Sequence, residues 1–219
     1  MDDALIAEVR AKLYSAVLSD VLDGLGSTRH ALSPGIRPLD DSLILFGRAR
    51  TALYAPVYHV EEGVNPYELE IRLVDDLKTG DVAVMACPLP ERMGPWGELL
   101  TTAARARGAA GCVTDGLVRD VRLIREMRFP VFSGGIGPLD SKGRGTVVAT
   151  DVPVECGGVL VSPGDWIFGD VDGVVVLPGS LCERALRDAL QKAASENTVR
   201  AELAAGEPLA SVFARHGIL

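Results

Sequence analysis

Apolar side chains recur at helical spacing through the opening segment, with Leu5, Val9, Leu13, Val17, Leu18, Val21 and Leu22 on one face of a 3.6-residue repeat. The pattern predicts one helix over residues 3–25, stopped by Gly24 and Gly26. The run Ser33-Pro34-Gly35-Ile36-Arg37-Pro38 is a turn-rich connector, and extended Ala, Leu, Tyr and Val positions predict a strand over 48–57. Asn65-Pro66 opens a second helix carrying Ile71, Leu73, Val74 and Leu77, because proline's missing N–H is tolerated in a first turn. Gly80-Asp81 ends it, and the continuous apolar run 82–87 reads as a buried strand. A loop with Pro88, Pro90, Gly94, Pro95 and Gly97 leads into a helix over 98–107, ended by Gly108. Strand 111–114, helix 120–127 and strand 131–132 complete a βαβαβ run. Such alternation implies a mainly parallel sheet with right-handed crossovers.

Beyond Pro138 the punctuation changes. Short apolar runs at 147–150, 152–155, 158–161, 166–169 and 173–177, separated by Gly, Pro and Asp, predict a β-meander. Asp172-Gly173 between two of them is a hairpin signal. A long final helix over 180–205 carries Glu183, Arg187, Glu196, Arg200 and Glu202, as an exposed or subunit-crossing element would. No repeat and no long linker divides the chain, so residues 1–219 form a single α/β domain.

Composition narrows the function classes. With 47% hydrophobic and 24% charged residues, the 219-residue chain buries a core without disulfides or a structural metal. A net charge of −8 with no basic block argues against a nucleic-acid surface; the arginines from Arg119 to Arg128 are helix-spaced and solvated. Cys87, Cys112, Cys156 and Cys182 lack zinc-site spacing and read as buried free thiols, which fits a reducing compartment. The acidic opening Met1-Asp2-Asp3-Ala4 is unlike a secretory signal, and no apolar run approaches the roughly 18 residues of a membrane span. The expectation is a cytoplasmic protein with no membrane partner.

The segment Gly111-Cys-Val-Thr-Asp-Gly-Leu-Val-Arg119-Asp120 carries the strongest chemical signal. It reads as a strand, a glycine turn and an Arg–Asp pair at a helix start, the corner where open α/β sheets place ligands. Arginine offers a fork for a carboxylate, and aspartate a hard oxygen for Mg²⁺ or Mn²⁺. Together they suit a small 2-oxo acid bound to a divalent metal. Upstream, Gly94-Pro95-Trp96-Gly97-Glu98-Leu99-Leu100 leads into a helix N-terminus whose free amides favour an anion. Glu98 and Glu196 are candidates to orient metal-held waters. His30, His59 and His216 are scattered and form no zinc motif. Lys12, Lys78, Lys142 and Lys192 sit in polar or turn contexts, which favours metal over imine chemistry. Ser133-Gly-Gly-Ile-Gly137 fails the phosphate-loop spacings and reads as a flexible turn, and the Asp165–Asp172 segment lacks EF-hand spacing.

Gly97-Glu98-Leu99-Leu100, the 111–120 segment, Phe129-Pro-Val-Phe132 and Gly164-Asp165…Asp170-Val-Asp-Gly-Val-Val-Val-Leu-Pro178, with Ser19-Asp20-Val-Leu-Asp-Gly-Leu-Gly26 before them, resemble the RraA-like family. This family includes metal-dependent 4-hydroxy-4-methyl-2-oxoglutarate and 4-carboxy-4-hydroxy-2-oxoadipate aldolases. The resemblance implies a swivelling three-layer β/β/α fold, assembled as a trimer or a dimer of trimers with sites between subunits. It implies that Asp120 holds the metal and that Arg119 binds the substrate carboxylate and steadies an enolate. Gly97, Glu98, Leu99 and Leu100 would form the substrate-binding loop, with Glu98 contacting a metal-bound water. Glu196 would match an acidic residue sent from a neighbouring subunit. The aldolases commonly carry Glu or Asp three positions after the metal aspartate, where this chain has Leu123. The implied activity is cleavage of 4-hydroxy-2-oxo acids to pyruvate, with oxaloacetate decarboxylation at the same site. The rival is a non-catalytic regulator of ribonucleases, as the family's name-giving member is. A methyltransferase ranks last, because no glycine-rich cofactor fingerprint follows the first strand.

Overall fold

The computed structural model describes residues 1–88 and 92–218; Pro90 of the expected loop lies outside them. The opening apolar repeat forms two helices, not one: α1 (Asp3–Lys12) and α2 (Ser15–Gly24). Leu13 and Tyr14 between them are extended, with ψ of 158° and 159°. Asp170, far along the chain, holds the break. Its carboxylate accepts the Ser15 N–H and the Ser15 hydroxyl, both at 2.7 Å. That contact satisfies a free helix-start donor, and no local pattern reveals it.

Eight strands form the main sheet. β1 (Arg37–Pro38), β2 (Leu45–Pro56), β3 (Asp81–Ala86), β4 (Gly111–Val118) and β5 (Val131–Ile136) alternate with α3 (Glu68–Asp75), α4 (Glu98–Ala106) and α5 (Val121–Met127). β2, β3, β4 and β5 are parallel neighbours, as the alternation predicts. Asn65-Pro66 precedes α3 rather than opening it. The Asn65 side chain accepts the Tyr67 N–H at 3.0 Å, an Asx turn that delays the helix to Glu68. Residues 133–136 are the continuation of β5, not a flexible turn; a Cβ at Gly134 would lie 2.2 Å from the Asp115 carbonyl oxygen, so the glycine permits close strand approach.

The five strands after Pro138 occur where predicted, in three separate pairings. β6 (Gly145–Thr150) pairs with the C-terminal half of β2. β7 (Val154–Cys156) and β8 (Val159–Val161) form their own two-stranded sheet. β9 (Trp166–Asp170) pairs with the N-terminal half of β2 and carries β10 (Gly173–Leu177) beyond it through the expected Asp-Gly hairpin. The final helix is α6 (Cys182–Ala204), followed by α7 (Leu209–His216), which the sequence reading omits. Arg215 and His216 of α7 both meet Glu202 of α6.

The layers follow strand alternation. On one face, Leu73, Val74, Ala104 and Ile124 of the helices, with Leu77 just past α3, pack with Ala52, Met85 and Cys112. On the other, Val154, Cys156, Val159 and Val161 of the small sheet cover Val84, Val113 and Phe132. A third cluster joins α1, α2 and α6 to Phe46 and Phe168. The result is the three-layer β/β/α arrangement. All four cysteines are free and buried. No helix among the described residues is long and apolar enough to cross a membrane.

Candidate functional site

β4 runs four residues past its expected end because of an irregularity. Its register with β5 shifts between Thr114 and Leu117, leaving Asp115 and Gly116 outside the pairing. Asp115 anchors this step, accepting the backbone N–H groups of Cys87 at 2.7 Å and Gly157 at 3.1 Å. Irregularities of this kind re-aim the chain near functional sites. Val118 then bridges to Trp96, and the Arg119 N–H donates to the Trp96 carbonyl at 3.1 Å. The loop before α4 is thereby sewn to the end of β4.

Asp120 adopts the left-handed conformation, with φ 59° and ψ 28°. Aspartate tolerates that region better than most residues, and its use at a chain corner points to a constrained site. The Asp120 Oδ2 stands 3.7 Å from Arg119 Nε and accepts the Glu98 N–H at 3.3 Å. A Cβ on Gly97 would fall 2.8 Å from Asp120 Oδ2 and 3.1 Å from Arg119 Cγ. Gly97 thus allows the Arg–Asp corner to lie directly on the loop. The first intrahelical bond of α4 runs from the Thr101 N–H to Gly97 O at 3.1 Å, so the amides of residues 98–100 have no acceptor within the helix.

These pieces line one concavity of about 310 Å³, with Gly97, Leu99, Leu100, Arg119 and Asp120 joined by Tyr67, Glu70, Ile71, Gly94, Pro95, Trp96 and Asp140. It lies at the carboxyl ends of the parallel strands, where such sheets bind ligands. Glu98 is not among the residues that line the cleft; its N–H donates to Asp120 Oδ2, and its carboxylate accepts the Thr102 hydroxyl at 2.8 Å, along its own helix. Leu123 lies one turn along α5, with its N–H on Asp120 O at 3.0 Å. Glu196 sits elsewhere in the chain. It bonds Tyr14 and shares a second concavity with Asp20 and Arg200.

Sequence reasoning missed three polar groups in the cleft. Asp140 stands 3.7 Å from Arg119 Nη1 and accepts the Tyr67 hydroxyl at 2.6 Å. Burial opposes ionisation of Asp140, yet the Tyr67 hydrogen bond and the Arg119 charge hold its pKa below the ordinary aspartate value. Tyr67 is pushed up to about 12, by desolvation first and then by its bond to Asp140. Glu70 is buried, and its Oε2 accepts the Tyr54 hydroxyl. Burial raises its pKa to about 7, against the lowering effect of that hydrogen bond. Glu70 did leave a trace in the sequence: it stands three and four residues before Leu73 and Val74, on the apolar stripe of α3. Asp140 left none.

The donor set fits a hydrated hard cation. Asp120 presents one partly exposed carboxylate to the cleft, and Mg²⁺ keeps most of its waters when one or two carboxylates hold it. Among the described residues no three His, Cys, Asp or Glu side chains gather into an all-protein cage.

Fold and cleft together define an α/β protein whose parallel strand ends bring a guanidinium, a carboxylate and a helix N-terminus to one small cleft. The chain belongs to the RraA-like family; the family model described as Aldolase/RraA matches residues 15–176. A protein of Halalkalibacterium halodurans, provisionally named a 4-hydroxy-4-methyl-2-oxoglutarate aldolase, is 35% identical over 179 residues, 82% of this chain and 79% of that one. The crystal structure of Streptomyces coelicolor RraAS2, described as an unusual member of the RNase ES inhibitor RraA protein family, matches with a TM-score of 0.79 at 30% identity, over 91% of this chain and 97% of that one. An uncharacterized protein from Pseudomonas syringae matches with a TM-score of 0.83 at 28% identity, over 97% and 98% of the two chains.

Proposed function

We propose that this protein is a divalent-metal-dependent lyase that cleaves 4-hydroxy-2-oxo acids of the 4-hydroxy-4-methyl-2-oxoglutarate type to pyruvate, and that also decarboxylates oxaloacetate. The observation carrying this reading is the meeting of Arg119, Asp120 and the start of α4 in one cleft. Both reactions pass through the pyruvate enolate, and this corner matches its charge. Arg119 grips the substrate carboxylate and, with the amides of Leu99 and Leu100, faces the negative charge that develops on the enolate. Asp120 would hold Mg²⁺ or Mn²⁺, which when bound supplies Lewis-acid polarisation of the 2-oxo group. Leu99, Leu100 and Ile71 give the cleft an apolar flank. The proposed assembly is a homotrimer or a dimer of trimers, in which Glu196 reaches this cleft from a second subunit.

A lactate-dehydrogenase-coupled assay tests the reading. Pyruvate is expected from oxaloacetate and from 4-hydroxy-4-methyl-2-oxoglutarate with Mg²⁺ or Mn²⁺, with loss on chelation and no metal response in Asp120→Asn. Absence of pyruvate from both substrates ends the lyase reading. Gly97→Ala adds a finer check. Its Cβ must displace the ends of Asp120 and Arg119, so kcat/KM should fall about 10²-fold in a folded protein, as read by kinetics beside circular dichroism.

One observation favours a second reading. The S. coelicolor relative is described within an RNase ES inhibitor family, so a ribonuclease regulator remains the rival. It requires no metal, and pulldown of a ribonuclease with unchanged binding by Asp120→Asn would support it.

A further inference from the structure

Of the titratable groups that the lyase reading leaves without a task, Glu70 lies deepest in the cleft. Glu70 is 7% exposed, deeper than any other carboxylate lining the cleft. Charged groups are rarely buried to this degree without a partner of opposite charge. The partner bonded here is a neutral hydroxyl, that of Tyr54 on β2. The groups that act on Glu70 come from several elements: Tyr54 from β2, Asp140 and Ser141 from the segment before β6, and Arg119 from the end of β4. Cys87, after β3, and Tyr67, just before α3, are raised by it in turn. Arg119 is already shared between Asp120 and Asp140 at 3.7 Å each.

Resting on the lyase reading, we propose that Glu70 is the proton shuttle of this cleft, taking the C4-hydroxyl proton as the C3–C4 bond breaks and returning it to C3 of the enolate. In cleavage Glu70 enters as a carboxylate and accepts the hydroxyl proton. The C4 oxygen becomes a carbonyl, and the C3–C4 electron pair passes into the pyruvyl fragment as its enolate. The carboxylic acid then gives the same proton to C3, the enolate double bond supplying the new C–H pair, and Glu70 returns ionised. Decarboxylation differs in one respect. Carbon dioxide leaves without yielding a proton, so the proton placed on C3 must already be on Glu70, and water replaces it afterwards.

The two reactions therefore need opposite ionisation states of one side chain. Burial places the Glu70 titration at about 7, where both states are populated under ordinary conditions. Asp140 cannot substitute as the acid, because Tyr67 and Arg119 hold it on the low side of its usual range. A pair of carboxyl groups driven apart in this way is a common sign of divided acid and base roles.

The test is the pH dependence of kcat for pyruvate formation from both substrates in the full chain with Mg²⁺, for wild type, Glu70→Gln and Tyr54→Phe. In wild type, cleavage should rise and decarboxylation should fall with pH, through one shared midpoint near 7. Glu70→Gln should slow both by about 10²–10⁴-fold and flatten both profiles. Tyr54→Phe keeps the ring and removes the bond that favours ionised Glu70, so both midpoints should move alkaline; it also decides the matter should Glu70→Gln not fold. Profiles that run in the same direction, or a midpoint indifferent to both substitutions, overturn the shuttle and leave the lyase standing. No pyruvate from either substrate overturns both. Exchange of pyruvate methyl hydrogens in D₂O, followed by proton NMR, gives a readout without bond cleavage. Wild type should catalyse it and Glu70→Gln should not.

Discussion

Replacing Arg119 by alanine should lower kcat for pyruvate formation by about 10²–10³-fold, the usual effect of removing one donor aimed at a developing oxyanion. The fold should tolerate the change. The Arg119 side chain is 38% exposed, its ion pairs with Asp120 and Asp140 are long, and its backbone N–H to Trp96 O survives the substitution. Partly exposed pairs of this kind contribute roughly 0–1 kcal/mol. The division of the loss between constants is informative. A guanidinium that only anchors the substrate carboxylate raises KM and leaves kcat alone, whereas one that also faces enolate charge lowers kcat. Arg119→Lys should recover little, because an ammonium lacks the planar fork. Steady-state kinetics on oxaloacetate suffice, and an Arg119→Ala enzyme with wild-type kcat and KM would remove this residue from the chemistry.

Trp96→Ala should be the most damaging substitution for stability around the cleft, at about 3–5 kcal/mol. Trp96 is 1% exposed. Its indole N–H donates to Thr101 Oγ1 at 2.8 Å, and that hydroxyl donates to Gly97 O at 2.9 Å. Its carbonyl accepts the Arg119 N–H. The side chain therefore fills the core and fixes the loop that leads into α4. Chemical denaturation measures the loss through a lowered midpoint at unchanged slope. Trp96→Phe, which keeps much of the apolar volume but not the donor, should lose less. A cost below about 1 kcal/mol for Trp96→Ala would mean that the indole is not the anchor of this loop.

Much of this molecule was legible because local rules and global structure agree. The parallel half could be read from helical and extended periodicity, with Gly80 and Gly108 as its punctuation. The Arg119–Asp120 corner and the Gly97 loop could be singled out as neighbours from their positions after successive strands. What escaped depends on partners distant in sequence. The α1–α2 break is held by Asp170, and the extension of β4 depends on Asp115 reaching Cys87 and Gly157. Asp140 reaches the cleft from a loop with no periodic pattern. Glu70 was hidden for another reason: a carboxylate on an apolar helical stripe reads as an interruption until its surroundings are known.

β2 has a further consequence for how the chain is made. Its two halves accept β9 and β6 as neighbours, and both are delivered only in the last part of translation. A nascent chain that has emerged through β5 can assemble the parallel core, yet one flank of its longest strand still shows bare amide and carbonyl groups. Unpaired flanks of that kind invite pairing with other chains, and ladders closed from distant segments form slowly. The interval between the emergence of β5 and the arrival of β6 and the β9–β10 hairpin is the one in which this flank lies open to such pairing.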